Sequence, residues 1–161
     1  MILKICFILP KTHNKGANMM DQMKGQIIRS FRMEMMGTGI YRSFAAQYGN
    51  KNAELAERFL KFSQDEYMHG KLFAKLFLKH YGEMIRGEGF WIFMGRVMAL
   101  LMRALPLEKK MKKLSIIESQ AVKRIQRELP GCENPGLTRI MKTILPDEMT
   151  HAGLYGEWFA A

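Results

Sequence analysis

The sequence predicts an all-α bundle of long helices, and three observations predict it. Four stretches carry apolar residues at three- and four-residue steps, the repeat of one helix face. Glycine and proline fall mostly between those stretches. No segment alternates with period two, and no hairpin dipeptide joins two such segments. The length of 161 residues suits one domain with a real core, and 48% hydrophobic residues exclude a disordered chain.

Residues 1–18 stand apart from this pattern. MILKICFILP is a short apolar run, and KTHNKGAN after it is polar. One basic residue precedes the apolar part and no small-residue cleavage site follows, so a signal peptide is not expected. The segment reads as a strand or helix docked on the body, or as an upstream extension with Met19 and Met20 as a second start. The domain proper is 19–161.

The first long helix is predicted over about 20–48, with Ile27, Phe31, Glu34, Thr38, Tyr41 and Ala45 on one face and Gly49-Asn50 as its stop. The second runs over about 52–81, with Phe59, Phe62, Glu66, His69, Phe73 and Leu76 in its stripe, and ends at Gly82. Residues 89–105 form an unusually apolar helix stopped by Pro106, inside the connection between the two halves. A third long helix, about 107–129, shows Met111, Leu114, Glu118, Val122, Ile125 and Leu129. After the turn PGCENPG, the fourth spans about 135–159 with Leu137, Met141, Ile144, Glu148, His151, Tyr155 and Phe159 on one face. Pro146 interrupts its hydrogen-bond ladder at the Lys142 carbonyl. It is expected to kink the helix beside Glu148, either opening a route for substrate or oxygen or only fitting the bundle.

Each long helix carries a glutamate in the middle of its apolar stripe: Glu34, Glu66, Glu118 and Glu148. A buried unpaired carboxylate is costly, and four together require a shared partner. Glu66 and Glu148 are followed three residues later by His69 and His151, which puts each pair on one helix face a turn apart. Oxygen and nitrogen then converge on one point, as a transition metal requires. The heights agree as well. Glu34 lies 15 residues before Gly49 and Glu66 lies 14 after Asn52, so both sit roughly 21–23 Å from the turn between them. Four carboxylates and two imidazoles suit two iron or manganese ions, or a mixed pair, better than one zinc.

Glu followed by Glu-x-x-His, repeated once, resembles the ferritin-like di-iron carboxylate superfamily over about residues 20–160. The resemblance implies a ferritin-like four-helix bundle of two antiparallel hairpins, with a long crossover containing the extra apolar helix. It implies two iron ions on Glu34, Glu66, His69, Glu118, Glu148 and His151. Bridging falls to Glu66 and Glu148 by resemblance, or to Glu66 and Glu118. Asp65 and Asp147 each precede the motif glutamate. By resemblance Asp65 would hold His151 and Asp147 would hold His69, crosswise; otherwise both are exposed helix residues. Tyr41, two turns after Glu34, matches a tyrosine of rubrerythrin-like and demethoxyubiquinone-hydroxylase-like proteins. It would hydrogen-bond a ligand carboxylate or carry an oxidising equivalent, or be a core tyrosine with a satisfied hydroxyl.

Two branches of the superfamily compete. The segment after Glu34 and the apolar crossover are similar to quinone-modifying hydroxylases, which implies a monooxygenase acting on a quinone-like or lipophilic substrate. The alternative is a stand-alone rubrerythrin-like peroxidase, or a ferroxidase and iron store. Rubrerythrin-like proteins usually carry an extra carboxylate where this chain has Ser115, and often a Cys-x-x-Cys domain, whereas the only cysteines here are Cys6 and Cys132. Either branch implies O2 or peroxide, an unidentified small-molecule substrate and an external electron donor.

The formal charge of +10 fits nucleic acid, an anionic membrane or mere solubility. No nucleic-acid motif is present, and no run is long and apolar enough to span a membrane. Six of the 15 acidic residues are assigned to the site, so the surface is more basic than the total suggests. The apolar 89–105 helix, with Arg96 and Arg103 inside it and Lys109, Lys110, Lys112 and Lys113 after it, reads as a buried crossover, a dimer interface or a peripheral membrane contact over 89–113. A cytoplasmic homodimer, free or on the inner membrane face, is the resulting expectation.

Overall fold

A computed structural model describes residues 19–159, and the statements below concern those residues. The 1–18 segment, with Cys6, lies outside them. Five helices follow in order: α1 (Met19–Tyr48), α2 (Ala53–Tyr81), α3 (Glu88–Leu101), α4 (Leu107–Glu128) and α5 (Pro135–Phe159), with a short 3-10 turn, Leu129–Gly131, before α5. No strand occurs among the described residues.

The ends are set by local chemistry. Asn52 Oδ1 accepts from the Leu55 N–H at 3.0 Å and caps α2. Gly82, at φ 67°, closes α2 in the left-handed conformation with its N–H on the Leu78 carbonyl. Asn134 Oδ1 accepts from the Leu137 N–H at 2.9 Å and starts α5. Pro146 removes one rung inside α5 without ending the helix, which runs unbroken to Phe159.

α1 packs on α2 and α4 on α5, giving two hairpins, and contacts between α2 and α5 join them. The core has two apolar parts. One gathers Ile27, Phe31, Phe73, Leu76, Ile125, Leu137 and Ile144. The other gathers Tyr41, Phe44, Phe59, Phe62, Met111, Leu114 and Leu154. On every long helix the glutamate falls between the two: between Phe31 and Tyr41, Phe62 and Phe73, Leu114 and Ile125, Ile144 and Leu154. A polar layer is thereby sealed above and below by apolar side chains.

Two expectations are corrected. The apolar helix was expected over 89–105, but α3 stops at Leu101. The Arg103 N–H bonds the Leu100 carbonyl and the Leu105 N–H bonds the Met102 carbonyl, each at 3.0 Å, turning the chain toward α4. Pro106 disfavours helical backbone at Leu105 only, so the earlier stop belongs to the turn toward α4. Lys110, one of the lysines read as following the apolar helix in a candidate membrane contact, is buried. Its Nζ donates to the Tyr48 hydroxyl at 3.0 Å and lies over the Phe44 and Tyr48 rings at 5.8 and 5.3 Å. Aromatic faces and a phenol replace water around that ammonium.

α3 lies on α1 at a close crossing. A Cβ on Gly95 would stand 2.1 Å from the Met36 carbonyl oxygen, and one on Gly39 would stand 2.1 Å from that of Ile92. Trp91 receives the Arg32 guanidinium at 5.1 Å. Positions 91 and 95 thus meet 32 and 36 in turn, so α3 runs in the same direction as α1. Glu88 fixes its start, accepting from the Tyr67 hydroxyl at 3.1 Å and from Lys71 at 2.7 Å.

Candidate metal centre

Glu34, Glu66, His69, Glu118, Glu148 and His151 converge in the polar layer, none of them more than 7% exposed. Their donor atoms form two groups, each within 4.8 Å: Glu34, Glu66, His69 and Glu148, and Glu66, Glu118, Glu148 and His151. Glu66 and Glu148 belong to both groups. They are one of the two pairs considered from the sequence for a bridging role.

Both imidazoles point Nδ1 inward. His151 Nδ1 lies 3.1 Å from Glu66 Oε1. His69 Nδ1 lies 3.2 Å from Glu148 Oε1 and 3.6 Å from Glu34 Oε2, yet makes no hydrogen bond, the one such orphan among the described buried side chains. The outer nitrogens face aspartates on the opposite hairpin: His69 Nε2 is 3.1 Å from Asp147 Oδ2, and His151 Nε2 is 3.5 Å from Asp65 Oδ2. An Nε2–H donated to each aspartate leaves an Nδ1 lone pair facing carboxylate oxygens. A lone pair against anions is repulsive unless a cation or a proton lies between, so the donor set fits a metal.

The titration behaviour has the same origin. Burial lifts the Glu34 carboxyl above the usual range, against a lowering by its His69 contact, and lifts Glu66 well above it, where repulsion from Glu34, Glu148 and Glu118 adds to burial. Glu118 is pushed up to about 8, by burial first and Glu148 next, against a lowering by its Tyr41 hydrogen bond. Burial opposes charge on His69, but Glu148, Glu34 and Asp147 outweigh it and raise the imidazole to about 10. His151 goes the other way, because burial dominates. In this dry layer Glu34, Glu66 and Glu118 favour their protonated forms wherever no metal cation balances them.

Tyr41 is buried and its hydroxyl donates to Glu118 Oε1. Burial and the Glu118 and Glu66 charges hold its pKa well above the usual tyrosine value. Phe62 closes the site on that side, with its ring 4.1 Å from the His151 ring and 5.5 Å from Tyr41. Ser115 donates to the Ala152 carbonyl at 2.6 Å and ties α4 to α5, so it adds no carboxylate.

One contributor escaped the sequence reading. A Cβ on Gly37 would stand 2.2 Å from Glu66 Oε2, so the absence of a side chain there makes room for a shared carboxylate. The signal was available: a mid-helix glycine one turn from a glutamate costs about 1 kcal/mol relative to alanine and calls for a local reason.

A family model described as Rubrerythrin matches residues 27–158. No curated protein and no solved structure matches the chain.

Proposed function

The chain belongs to the rubrerythrin family, and on that premise we propose that it is a di-iron oxidoreductase of the peroxidase kind, reducing peroxide with electrons from a separate donor. The observation that carries this reading is the pair of buried donor groups sharing Glu66 and Glu148, with the His69 Nδ1 aimed into one of them. Glu34 and His69 would hold one iron, Glu118 and His151 the other, and Glu66 and Glu148 both. Manganese fits the same donors. When bound, the metal pair supplies two electrons for cleaving an O–O bond and open positions for O2 or peroxide.

The side chains of this chain have definable roles around that chemistry. Asp147 and Asp65 orient the imidazoles by accepting from Nε2–H, which keeps each Nδ1 free as a donor to metal. The Tyr41 hydroxyl, which donates to Glu118 beside the site, would supply a proton to a departing oxygen. Phe62 and the two apolar layers exclude water. Electrons enter from outside these 161 residues, which contain no Cys-x-x-Cys. The quinone-hydroxylase reading rests on the segment after Glu34 and on the apolar crossover, whereas the family match favours the rubrerythrin-like alternative.

The test is metal content and optical spectrum after anaerobic iron loading, before and after peroxide, for the wild type and Glu118→Ala. The wild type should hold about two irons per chain, change its spectrum with peroxide and consume peroxide when a reductant is supplied. Glu118→Ala should keep its helical signal while losing metal from the Glu118–His151 position. Trace metal in the loaded wild type would overturn the reading.

A further inference from the structure

α3 presents an apolar face that the bundle does not use. Its inner side is Gly95 and Ala99, both buried against α1. On the opposite side Phe90 is 56% exposed, Phe93 57%, Leu100 63% and Leu101 71%. At about 100° per residue these four and the partly exposed Val97 fall within roughly 100° of arc, centred opposite Gly95. Single exposed leucines are ordinary; two phenylalanines and two leucines on one side of a 14-residue helix are a patch.

The charges around the patch indicate what covers it. Between Gly89 and Leu107 the chain carries Arg96 and Arg103 and no acidic residue. Both arginines are exposed: Arg96 lies on α3 beside the apolar stripe, and Arg103 lies in the turn that follows the end of α3 at Leu101. The acid at the helix start, Glu88, is already engaged by Lys71 and Tyr67. Exposed Lys109, Lys112 and Lys113 follow on α4. A second copy docked face to face would bring like charges together on chains of formal charge +10. No helix among the described residues can cross a membrane, so the helix would lie along a surface rather than through it.

The geometry points to an in-plane docking face for an anionic lipid bilayer: Phe90, Phe93, Leu100 and Leu101 enter the boundary between headgroups and acyl chains, and Arg96 and Arg103 meet lipid phosphates. Aromatic and leucine side chains with arginines at the edge are the composition of a helix that lies in a membrane interface. The glycine crossing holds α3 rigidly against α1, so the whole domain is carried to the surface in one orientation.

Vesicle co-sedimentation tests this with the full chain, using phosphatidylcholine vesicles with and without one third phosphatidylglycerol. The wild type should pellet with the anionic vesicles, less so at high salt and weakly with pure phosphatidylcholine. Arg96→Gln with Arg103→Gln should bind the anionic vesicles roughly thirtyfold more weakly. Phe93→Asp with Leu101→Asp should abolish pelleting while leaving the helical melt unchanged, because both side chains are more than half exposed. Failure of the wild type to pellet, or equal pelleting of the aspartate variant, overturns the proposal. Light scattering tests the rival occupant: a dimer dissociated by Phe93→Asp assigns the face to a second copy and overturns the lipid reading.

Discussion

At the scale of single residues, the site depends on what is missing as much as on what is present. Gly37 leaves space that the Glu66 carboxylate fills. Gly37→Ala should therefore raise helix propensity slightly and still weaken metal binding, by about 10–100-fold, because Glu66 is common to both donor groups. Metal titration against a thermal melt checks the two halves of that statement, and unchanged affinity would show that Glu66 relocates freely. The glutamates and histidines were legible because each is an anomaly in an apolar stripe. Gly37 was not, since an absent side chain leaves no mark in a hydrophobic pattern. Lys110 misled for the opposite reason: a lysine reads as surface, and nothing in its neighbours' order announces that Phe44 and Tyr48 fold over it.

At the scale of elements, the long helices were legible to within a residue or two because their repeat persists for many turns, with Gly82 and Asn52 marking ends. The end of α3 was not, because apolar residues continue to Leu105 while the backbone has already turned at Leu101. Turns driven by the need to reverse direction are tertiary facts. The glycine crossing that seats α3 is equally tertiary, and it yields a prediction. Gly95→Ala places a Cβ against the Met36 carbonyl and the Gly39 Cα, both of them backbone. It should cost about 1–3 kcal/mol and lower the melting temperature, because α3 and α1 must separate. Metal stoichiometry should hold, since neither metal group includes a residue of α3. A melt as high as that of the wild type would mean the crossing relaxes easily.

At the scale of the molecule, fold and charge answer each other. The bundle encloses four carboxylates, and without metal burial favours the protonated forms of Glu34, Glu66 and Glu118. Glu118 moves from 4.5 unfolded to about 8 folded, and Glu34 and Glu66 move in the same direction. Groups with raised folded values contribute stability that is fully present below the unfolded value and is lost as pH rises through the folded one. His69, raised from 6.5 to about 10, adds to that trend, and His151 opposes it below 6.5. Metal-free protein should thus melt at progressively lower temperature as pH rises from about 5 to 9. The metal-loaded protein should lose stability in the reverse direction, as protons displace metal at low pH. Melts of chelated and loaded samples across that range check both slopes, and slopes of the same sign would contradict the shared-layer account. The crosswise aspartates extend this interdependence across the two hairpins. Asp147 sits on one hairpin and steadies the imidazole of the other, and Asp65 returns the arrangement. A change at Asp147 is then felt at His69, and a change at Asp65 is felt at His151, so each hairpin constrains the other's half of the site.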